Sequence, residues 1–336
     1  MRVVFFGSPD YALATLRALI EAPDVDLVAA VTQPDRPRGR SGSAVPTAVA
    51  RLAREAGVPV LTPERLRREQ TAEIAALEPD VGVLAASAHI LPSHLIEAFP
   101  HGVLNVHASL LPRHRGASPV AAAILAGDEQ AGASIMEIVR ALDAGPVLGA
   151  AATPIAPLDT TGTLTARIAR LGAQRLLELL GPWVAGAIEA QAQDEAAATY
   201  APLLAKEDGV LDWSRPASDL WRRVRAFQPW PLTTTRYRGE LFTILEAWPV
   251  SAPTPTVPTT TAPGTVCEGD RAALSERLPG RLARAVVATG DGGLALLRVQ
   301  RAGRRPLDIE DYLNGDRDLI GARLGETDGA RLGDEA

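Results

Sequence analysis

The sequence predicts an α/β fold, in which a doubly wound, mostly parallel, Rossmann-like sheet precedes a second, smaller β-rich domain. Two observations carry this prediction. Short, nearly continuous apolar runs alternate with segments of helical periodicity through the first half of the chain, a pattern typical of parallel strands that helices cover on both faces. After about Ala192 the pattern changes to a connecting segment and then to short strand-like runs separated by turns.

The elements of the first domain follow in order from that periodicity. Arg2–Phe6 is an apolar strand, and the turn that follows it opens a helix with leucines at helical spacing. Further strands are predicted at Val25–Val31, Val58–Leu61, Val81–Ala86, Val103–Val106, Ser134–Val139 and Val147–Ile155. Further helices are predicted at Thr47–Ala56, Pro63–Leu77, Pro119–Leu125 and Thr161–Ala190.

The second domain is predicted to contain short strands and one helix that begins near Ala217. The strands are expected at Val210–Trp213, Leu241–Trp248, Arg284–Ala288 and Leu294–Val299. Ser251–Pro263 is rich in proline and threonine, which predicts a loop because such a composition builds no core. The predicted organisation is a first domain over residues 1–190, a linker over 191–208, a second domain over 209–320 and a disordered tail over 321–336.

The composition limits the class of protein. The chain has 336 residues, of which 46% are hydrophobic and 22% charged, as expected for two globular domains. No apolar segment is long enough for a membrane span and no secretory pattern opens the chain, so we expect a cytoplasmic protein. The lone Cys267 excludes an internal disulfide, and the scattered histidines predict no metal site. Nothing in the sequence favours an obligate interface, so we expect a monomer.

Three polar side chains form the candidate catalytic group. Asn105 and His107 alternate at the carboxyl end of a predicted strand, where active sites of open parallel sheets form, and Asp143 lies in a loop between two later strands. Such a group suits acyl transfer to an amine: Asn105 and protonated His107 stabilise the oxyanion, while Asp143 orients His107 and assists proton removal. Each residue also has a structural interpretation, as a loop cap, a hydrogen-bonded histidine and a turn aspartate.

Two neighbouring segments carry a resemblance to a known family. Asn105–Arg113 (NVHASLLPR) and Arg115–Pro119 (RGASP) resemble the core signature of the 10-formyltetrahydrofolate-dependent formyltransferases. Similarity to the branch of that family that acts on methionyl-tRNA extends from residue 1 to about residue 315, through Gly7–Asp10, Thr32–Pro37, Ile135-Met136, Leu142-Asp143, Lys206–Asp208, Asp212-Trp213 and Arg225–Pro231.

The resemblance implies a function and a site. The implied reaction moves the formyl group of 10-formyltetrahydrofolate, a co-substrate, to the amino group of initiator methionyl-tRNA, with Asn105, His107 and Asp143 as the catalytic residues. The implied second domain is an OB-like barrel, which suits short strands separated by turns. The implied folate pocket is lined by Ser87, Ala88, His89, Ile90, Ser109, Leu110, Leu111, Pro112 and Leu142.

The chain departs from the family in two of the folate-lining loops. Ala86 to His89 stand where the family usually has Ala-Tyr-Gly before Ile-Leu-Pro, and Ala141 and Ala144 replace the Gly and Thr that flank Leu-Asp. Pterin recognition in the family relies partly on main-chain groups, which a side-chain change alters less than it would alter a side-chain contact.

Clustered arginines predict contact with tRNA phosphates, although the net charge is −6. Arg36, Arg38 and Arg40 lie in a loop after the second strand, at the edge of the sheet where the active site is expected, so we predict that they bind the acceptor stem. The alternative is a solvated surface loop. Six arginines against one acid lie between Trp213 and Arg238, and those on the predicted helix, Arg222, Arg223 and Arg225, are predicted to bind phosphates as well.

Three other functions compete with this interpretation. A dinucleotide-binding oxidoreductase shares the opening strand, turn and helix, but Gly7 to Ala12 lacks the second and third glycines of that motif. A formyltransferase that acts on a small amine would share the three catalytic residues, so only the arginine loop and the basic second domain separate the two. A non-catalytic RNA-binding protein would leave the three residues without a purpose.

Overall fold

A computed structural model describes residues 1–37, 44–87, 89–250, 258, 260–269 and 283–325. The chain divides into two compact units. The first comprises Met1–Ala123, Asp128–Ile155 and Thr163–Leu203, and the second comprises Ile124–Gly127, Ala156–Gly162 and Leu204–Ala336. Several sequence predictions concern positions outside the described residues: the folate contact of Ala88, the phosphate contacts of Arg38 and Arg40, most of the loop 251–263, and the tail after residue 325.

The first unit is built on a seven-stranded sheet. The strands of the unit are β1 (Arg2–Gly7), β2 (Asp26–Val31), β3 (Arg36–Pro37), β4 (Ala44–Val45), β5 (Val60–Leu61), β6 (Val81–Ala85), β7 (Val103–His107), β8 (Arg115–Gly116), β9 (Gln130–Glu137), β10 (Val147–Pro154) and β11 (Tyr200–Ala201). The order in the sheet is β10-β9-β7-β6-β1-β2-β5. Strands β5, β2, β1, β6 and β7 are parallel, whereas β9 and β10 are antiparallel, which confirms the predicted fold class.

Helices cover this sheet, and most begin and end close to the predicted residues. They are α1 (Ala12–Glu21), α2 (Ala48–Glu55), α3 (Arg68–Ala75), α4 (Ser93–Ile96), α5 (Pro119–Ala126) and α6 (Thr161–Val184). Helix α3 begins later than predicted because the side chain of Gln70 accepts a hydrogen bond from the Arg67 amide at 3.1 Å, which caps the helix at that point. Helix α6 ends before Ala190, and Gly186 follows it with a φ of 67°, a conformation common just after helices.

The central strands of the sheet are buried on both faces. Every residue of β6 and β7 is buried, and the core contains Phe6 and Phe99, whose rings meet edge to face at 6.1 Å between centroids. The parallel register aligns Gly7 with Ala85 and Leu84 with Asn105. Strands β1, β6 and β7 therefore end at the same edge of the sheet, which is where a site can form.

The second unit contains a six-stranded antiparallel sheet, consistent with the predicted OB-like domain. Its strands are β12 (Thr233–Tyr237), β13 (Glu240–Val250), β14 (Val266–Glu268), β15 (Ala285–Ala288), β16 (Gly293–Arg301) and β17 (Leu307–Asp308), and its helices are α7 (Ala217–Ala226) and α8 (Ile309–Gly315). The order is β12-β13-β16-β15-β14, with β17 paired to β16. Phe242 lies at the centre of the core between the rings of Tyr237 and Tyr312.

In this unit one predicted strand is absent, and one strand was not predicted. Val210–Trp213 is not a strand, since only an isolated bridge joins Val210 to Thr234; its apolar residues pack into the core from an irregular segment. Strand β12 was not predicted because two of its inward positions are threonines. Both are buried, and Thr233 satisfies its hydroxyl by donating to the Ile244 carbonyl at 2.7 Å.

The chain remains ordered beyond residue 320, where the sequence predicts the start of a disordered tail. Leu324 is buried and its amide donates to the Gly264 carbonyl, and the Gly325 amide donates to the Arg236 carbonyl. These bonds secure residues 321–325 against the second unit. None of the helices in the described part of the chain combines the length and the apolar character that crossing a membrane requires.

Candidate active site

Asn105 and His107 lie on one side of β7, at the edge where the parallel strands end. Both side chains are buried, with 8% and 6% of the residue exposed. Their alternation along the strand places them next to each other on the same face, because successive side chains of a strand point to opposite faces. The buried core strand therefore presents an amide and an imidazole together.

The two ring nitrogens of His107 have different surroundings. Nε2 lies 3.1 Å from the main-chain carbonyl oxygen of His114, and Nδ1 lies 3.7 Å from Oδ2 of Asp143. A carbonyl oxygen only accepts hydrogen bonds, so Nε2 must carry a hydrogen and donate it. In the neutral ring Nδ1 is then the free base, and it faces a carboxylate.

Asp143 lies in the loop between β9 and β10, as the sequence predicts. Its φ is 48°, in the left-handed region, where a residue other than glycine costs of order 1–3 kcal/mol and persists only if its surroundings hold it. Oδ2 accepts a hydrogen bond from the Gly116 amide at 2.9 Å. The side chain is 14% exposed, so the carboxylate is held at the rim of the site with one oxygen directed by a main-chain donor.

The carbonyl that meets His107 is itself held in place by an ionic cluster. Nε2 of His114 lies 2.7 Å from Oδ2 of Asp128, and Arg113 donates to Oδ1 of the same carboxylate at 2.7 Å. These side chains line a cavity of about 390 Å³ beside the loop after β7, together with Ser109 and Leu110. Asp128 thus contacts both Arg113 and His114, and these contacts hold the loop that carries the His114 carbonyl.

Ser134, which the sequence analysis did not select, holds the proposed folate loop Ser109–Pro112 in place. Its hydroxyl donates to the Ser109 carbonyl at 2.8 Å and accepts from the Leu111 amide at 3.0 Å. Ser109 in turn donates to the Arg113 carbonyl at 2.7 Å. A serine among the small and apolar residues at the centre of β9 is the sequence signal that could have found it, because its contacts join residues far apart in the chain.

The other proposed folate residues lie in two further loops, one after β6 and one, with Leu142, between β9 and β10. Ser87 accepts a hydrogen bond from the His89 amide at 3.1 Å, and Nε2 of His89 lies 2.9 Å from the Pro63 carbonyl. Ile90 and Leu142 are large apolar residues that are 92% and 65% exposed. An aliphatic side chain in that state loses exposed surface when a ligand covers it, which favours binding.

Arg115 and the segment after residue 190 form a second group that the sequence did not indicate. The guanidinium of Arg115 is 1% exposed and donates to both oxygens of Glu195 and to the side-chain oxygen of Gln193. The hydrogen bond with Glu195 raises the pKa of Arg115 above its ordinary value and lowers the pKa of Glu195. The residues predicted to form a linker therefore contribute side chains close to Asp143.

Comparison with known proteins identifies the family. Residues 1–180 match the formyl transferase family and residues 203–317 match the formyl transferase C-terminal domain. A methionyl-tRNA formyltransferase from Roseiflexus sp. (strain RS-1) is 44% identical, with 100% of this chain and 99% of the relative covered. One from Pseudomonas paraeruginosa (strain DSM 24068 / PA7) is 42% identical over 96% of this chain and 98% of the relative. The chain belongs to the methionyl-tRNA formyltransferase family.

Solved structures of more distant formyltransferases share the fold. An N-formyltransferase from Helicobacter canadensis, in complex with folinic acid and dTDP-3-aminofucose, is 13% identical with a TM-score of 0.63, covering 89% of this chain and 98% of that one. HypX from Aquifex aeolicus, in complex with tetrahydrofolic acid, is 17% identical with a TM-score of 0.56, covering 93% of this chain and 47% of that one. At these identities the likeness concerns the fold.

The arginines that are predicted to bind phosphates differ in solvent exposure. Arg36 is exposed on β3, in the loop that leaves the carboxyl end of β2. Arg222 is partly buried, and its guanidinium lies over Gly127, where a Cβ would overlap it. Arg223 is partly buried and lies 3.9 Å from a carboxylate oxygen of Asp219.

Arg225 does not offer its charge to a phosphate. It is 8% exposed, its guanidinium lies 3.8 Å from the centroid of the Trp221 ring, and it donates to the Ala156 carbonyl at 3.3 Å. Burial, followed by the neighbouring Arg222, lowers the pKa of Arg225 to about 10. Arg225 was selected as one of three arginines on the predicted helix, but it lies on the inner side of α7, where Val224 and Ala226 are also buried.

No group of three or more histidine, cysteine or carboxylate side chains suited to hold a metal ion occurs within the described ranges. The side chains at the end of β7 can perform proton transfer at Nδ1 of His107, with the Asp143 carboxylate to balance the charge and the Asn105 amide to donate a hydrogen bond.

We expect the neutral ring of His107 to carry its hydrogen on Nε2, because the His114 carbonyl accepts from that atom. Nitrogen-15 NMR of the imidazole side chains measures the tautomer directly. The chain has five histidines, and the signal that disappears in His107→Gln assigns the residue. A neutral ring with its hydrogen on Nδ1 would contradict the proposed geometry.

Proposed function

We propose that this chain transfers the formyl group of 10-formyltetrahydrofolate to the amino group of methionyl-initiator-tRNA, giving N-formylmethionyl-tRNA for translation initiation. The observation that carries the proposal is the arrangement at the end of β7, where Nδ1 of His107 faces the carboxylate of Asp143 beside Asn105. Relatives named methionyl-tRNA formyltransferase, 44% and 42% identical over nearly the whole chain, support the choice of acceptor.

The proposed reaction is direct acyl transfer between two amines. The methionyl nitrogen attacks the formyl carbon, and a tetrahedral intermediate forms with negative charge on oxygen. The bond from that carbon to N10 of the folate then breaks. One proton leaves the methionyl nitrogen and one is gained by N10, so the overall transfer needs a group that takes up a proton and returns it.

His107 is the proposed proton carrier. Its Nδ1 takes the proton from the methionyl nitrogen as the new bond forms and returns it to N10 as the old bond breaks. Asp143 balances the charge of the imidazolium in the interval, since Oδ2 lies 3.7 Å from Nδ1. Asn105 donates a hydrogen bond to the oxyanion, and the protonated ring adds a second stabilising charge.

The proposed folate site lies along the edge of the sheet on either side of these residues. Ser109 to Pro112 form one wall, since Ser134 fixes the main chain of that loop. Ser87, His89, Ile90 and Leu142 form the other wall, where exposed aliphatic groups can cover the pterin. Main-chain groups of a fixed loop remain available for recognition even where this chain differs from its family in side chains.

The proposed tRNA contacts are electrostatic and come from arginines of both units. Arg36, Arg38 and Arg40 bind phosphates of the acceptor arm, and Arg222 and Arg223 bind phosphates elsewhere on the tRNA. Arg225 is left out because its charge is buried against Trp221. We also propose that the chain acts in the cytoplasm without a metal ion. All three proposed catalytic side chains come from one chain, so a monomer can form the site.

A panel of acceptors tests the proposed function. The protein is incubated with 10-formyltetrahydrofolate and one of methionyl-initiator-tRNA, the same tRNA uncharged, free methionine or a nucleotide-linked amino sugar, and N-formyl product is measured. We expect formylation of methionyl-tRNA alone. Turnover of the amino sugar without turnover of methionyl-tRNA would favour the small-amine formyltransferase, and tRNA binding without any turnover would favour a non-catalytic RNA-binding protein.

Replacing Arg36 tests the proposed tRNA contact. Arg36→Ala should raise the KM for methionyl-tRNA without lowering kcat, and should reduce the salt slope of tRNA binding by about one, because one phosphate contact is lost. Arg54, which is exposed on α2, provides the matched control in Arg54→Ala. Equal salt slopes for the two variants would show that Arg36 binds no phosphate and would favour the alternative, a solvated surface loop.

A further inference from the structure

The segment after residue 190 is hydrogen-bonded to both loops of the proposed active site. On one side the main chain of Gln191 exchanges two hydrogen bonds with Val147, just after the Asp143 loop, at 2.8 and 2.9 Å. On the other side β11 pairs with β8, and the Arg115 amide donates to the Thr199 carbonyl at 2.8 Å. The segment therefore spans the distance between the two loops that converge on His107.

Gln193 lies between these two attachments, and its side chain binds the Asp143 loop directly. Its Nε2 donates to the Asp143 carbonyl at 2.8 Å and to the Gly145 carbonyl at 2.7 Å. One amide group thus connects the first and last residues of a three-residue turn. The loop is closely packed as well, because a Cβ at Gly145 would overlap the carbonyl oxygen of Glu137.

Arg115 fixes which way the Gln193 amide points. The side-chain oxygen of Gln193 accepts from Nε and Nη2 of Arg115 at 3.1 and 2.9 Å. Because a guanidinium only donates, the oxygen must face Arg115 and the nitrogen must face the Asp143 loop. The same guanidinium is held by both oxygens of Glu195 at 2.8 and 2.9 Å, so its own orientation is set by a bidentate pair.

Asp143 needs such support. Its backbone has a left-handed conformation at φ 48°, which surrounding contacts must maintain. Its carboxylate is directed by one donor, the Gly116 amide, so a shift of the loop would carry Oδ2 away from Nδ1 of His107. The only side-chain hydrogen bonds to the main chain of the turn, among the described residues, come from Gln193.

We propose that Gln193 is a positioning residue, which holds the Asp143 carboxylate against His107 by clamping the main chain of the loop, with Arg115 and Glu195 setting its orientation. The assignment rests on the proposed function insofar as it concerns catalysis. Gln193 acts through Asp143 and touches no reacting atom. A misplacement of about 1 Å in such a group can cost roughly a hundredfold in rate.

Two substitutions of Gln193 and one matched control test the proposal. Gln193→Glu keeps an acceptor for Arg115 but places a carboxylate against two carbonyl oxygens, and Gln193→Met removes both polar functions at similar volume. Gln191→Glu makes the same chemical change two residues away, on an exposed residue whose hydrogen bonds to Val147 involve only the main chain. Formyl transfer kinetics and the nitrogen-15 signal of His107 Nδ1 are measured for each.

The expected result is a kcat lowered by about tenfold to a hundredfold in both Gln193 variants, with KM values within about twofold of the unaltered protein. The Nδ1 signal should move in the same two variants, and Gln191→Glu should match the unaltered protein in every measurement. If Gln193→Glu fails to fold, the uncharged Gln193→Met still gives both readouts.

Two results would overturn the assignment. An unaltered kcat in both Gln193 variants would show that the clamp has no catalytic effect, and a lowered kcat with an unmoved Nδ1 signal would show that the loss does not pass through the His107–Asp143 pair. The NMR measurement uses no substrate. An unaltered protein that forms no N-formyl product, with the Nδ1 signal still displaced in the variants, would therefore remove the proposed function and leave the structural role of Gln193.

Discussion

The hydrogen bond between Nε2 of His107 and the His114 carbonyl decides what the site can do. Nε2 is the hydrogen-bond donor in this contact, so Nδ1 is the ring nitrogen that can accept a proton from the substrate. The carboxylate of Asp143 lies on that side of the ring, at 3.7 Å. If the ring were free to turn or to change tautomer, neither the placement of Asp143 nor the burial of His107 on β7 would define a direction for proton transfer.

The parallel sheet supplies the other part of the constraint. Parallel strands end at a common edge, so the residues that follow β1, β6 and β7 lie along one edge of the sheet without any local sequence signal that joins them. The antiparallel pair β9 and β10 extends the same sheet, and the turn between them carries Asp143 back towards β7. A rigid, buried framework thus presents an amide, an imidazole and a carboxylate from separate parts of the chain, as acyl transfer between amines requires.

Much of this arrangement could be predicted from the sequence. The contacts that could not be predicted have a physical reason in common. Apolar runs with strand or helix periodicity defined the first unit, and the position of active sites at the carboxyl edge of parallel sheets led to Asn105 and His107. Asp143 was selected from the loop between two later strands. The contacts that tune the site could not be found in this way. The His114 carbonyl is a main-chain group, which every residue has, and Ser134 and Gln193 act on residues that lie far from them in the chain.

The same reasoning explains the errors in the second unit. The clustering of arginines on the predicted helix grouped Arg225 with two others but could not show that Trp221 and main-chain carbonyls cover it. Strand β12 was missed because two of its buried residues are threonines. A threonine can lie in the core when its hydroxyl donates to a neighbouring strand, but a hydrophobicity pattern counts it as polar. In both cases a contact that the hydrophobic pattern of the sequence does not show determined how the residue is buried.

A double-mutant cycle on His107 and Asp143 tests the central claim most directly. Because the carboxylate acts through the imidazole, removing either group should remove most of what the pair contributes. The account predicts that kcat for formyl transfer in His107→Gln/Asp143→Asn is about as low as in the slower single variant. Independent losses that multiply in the double variant would contradict it, because they would show that the two groups do not act as one unit.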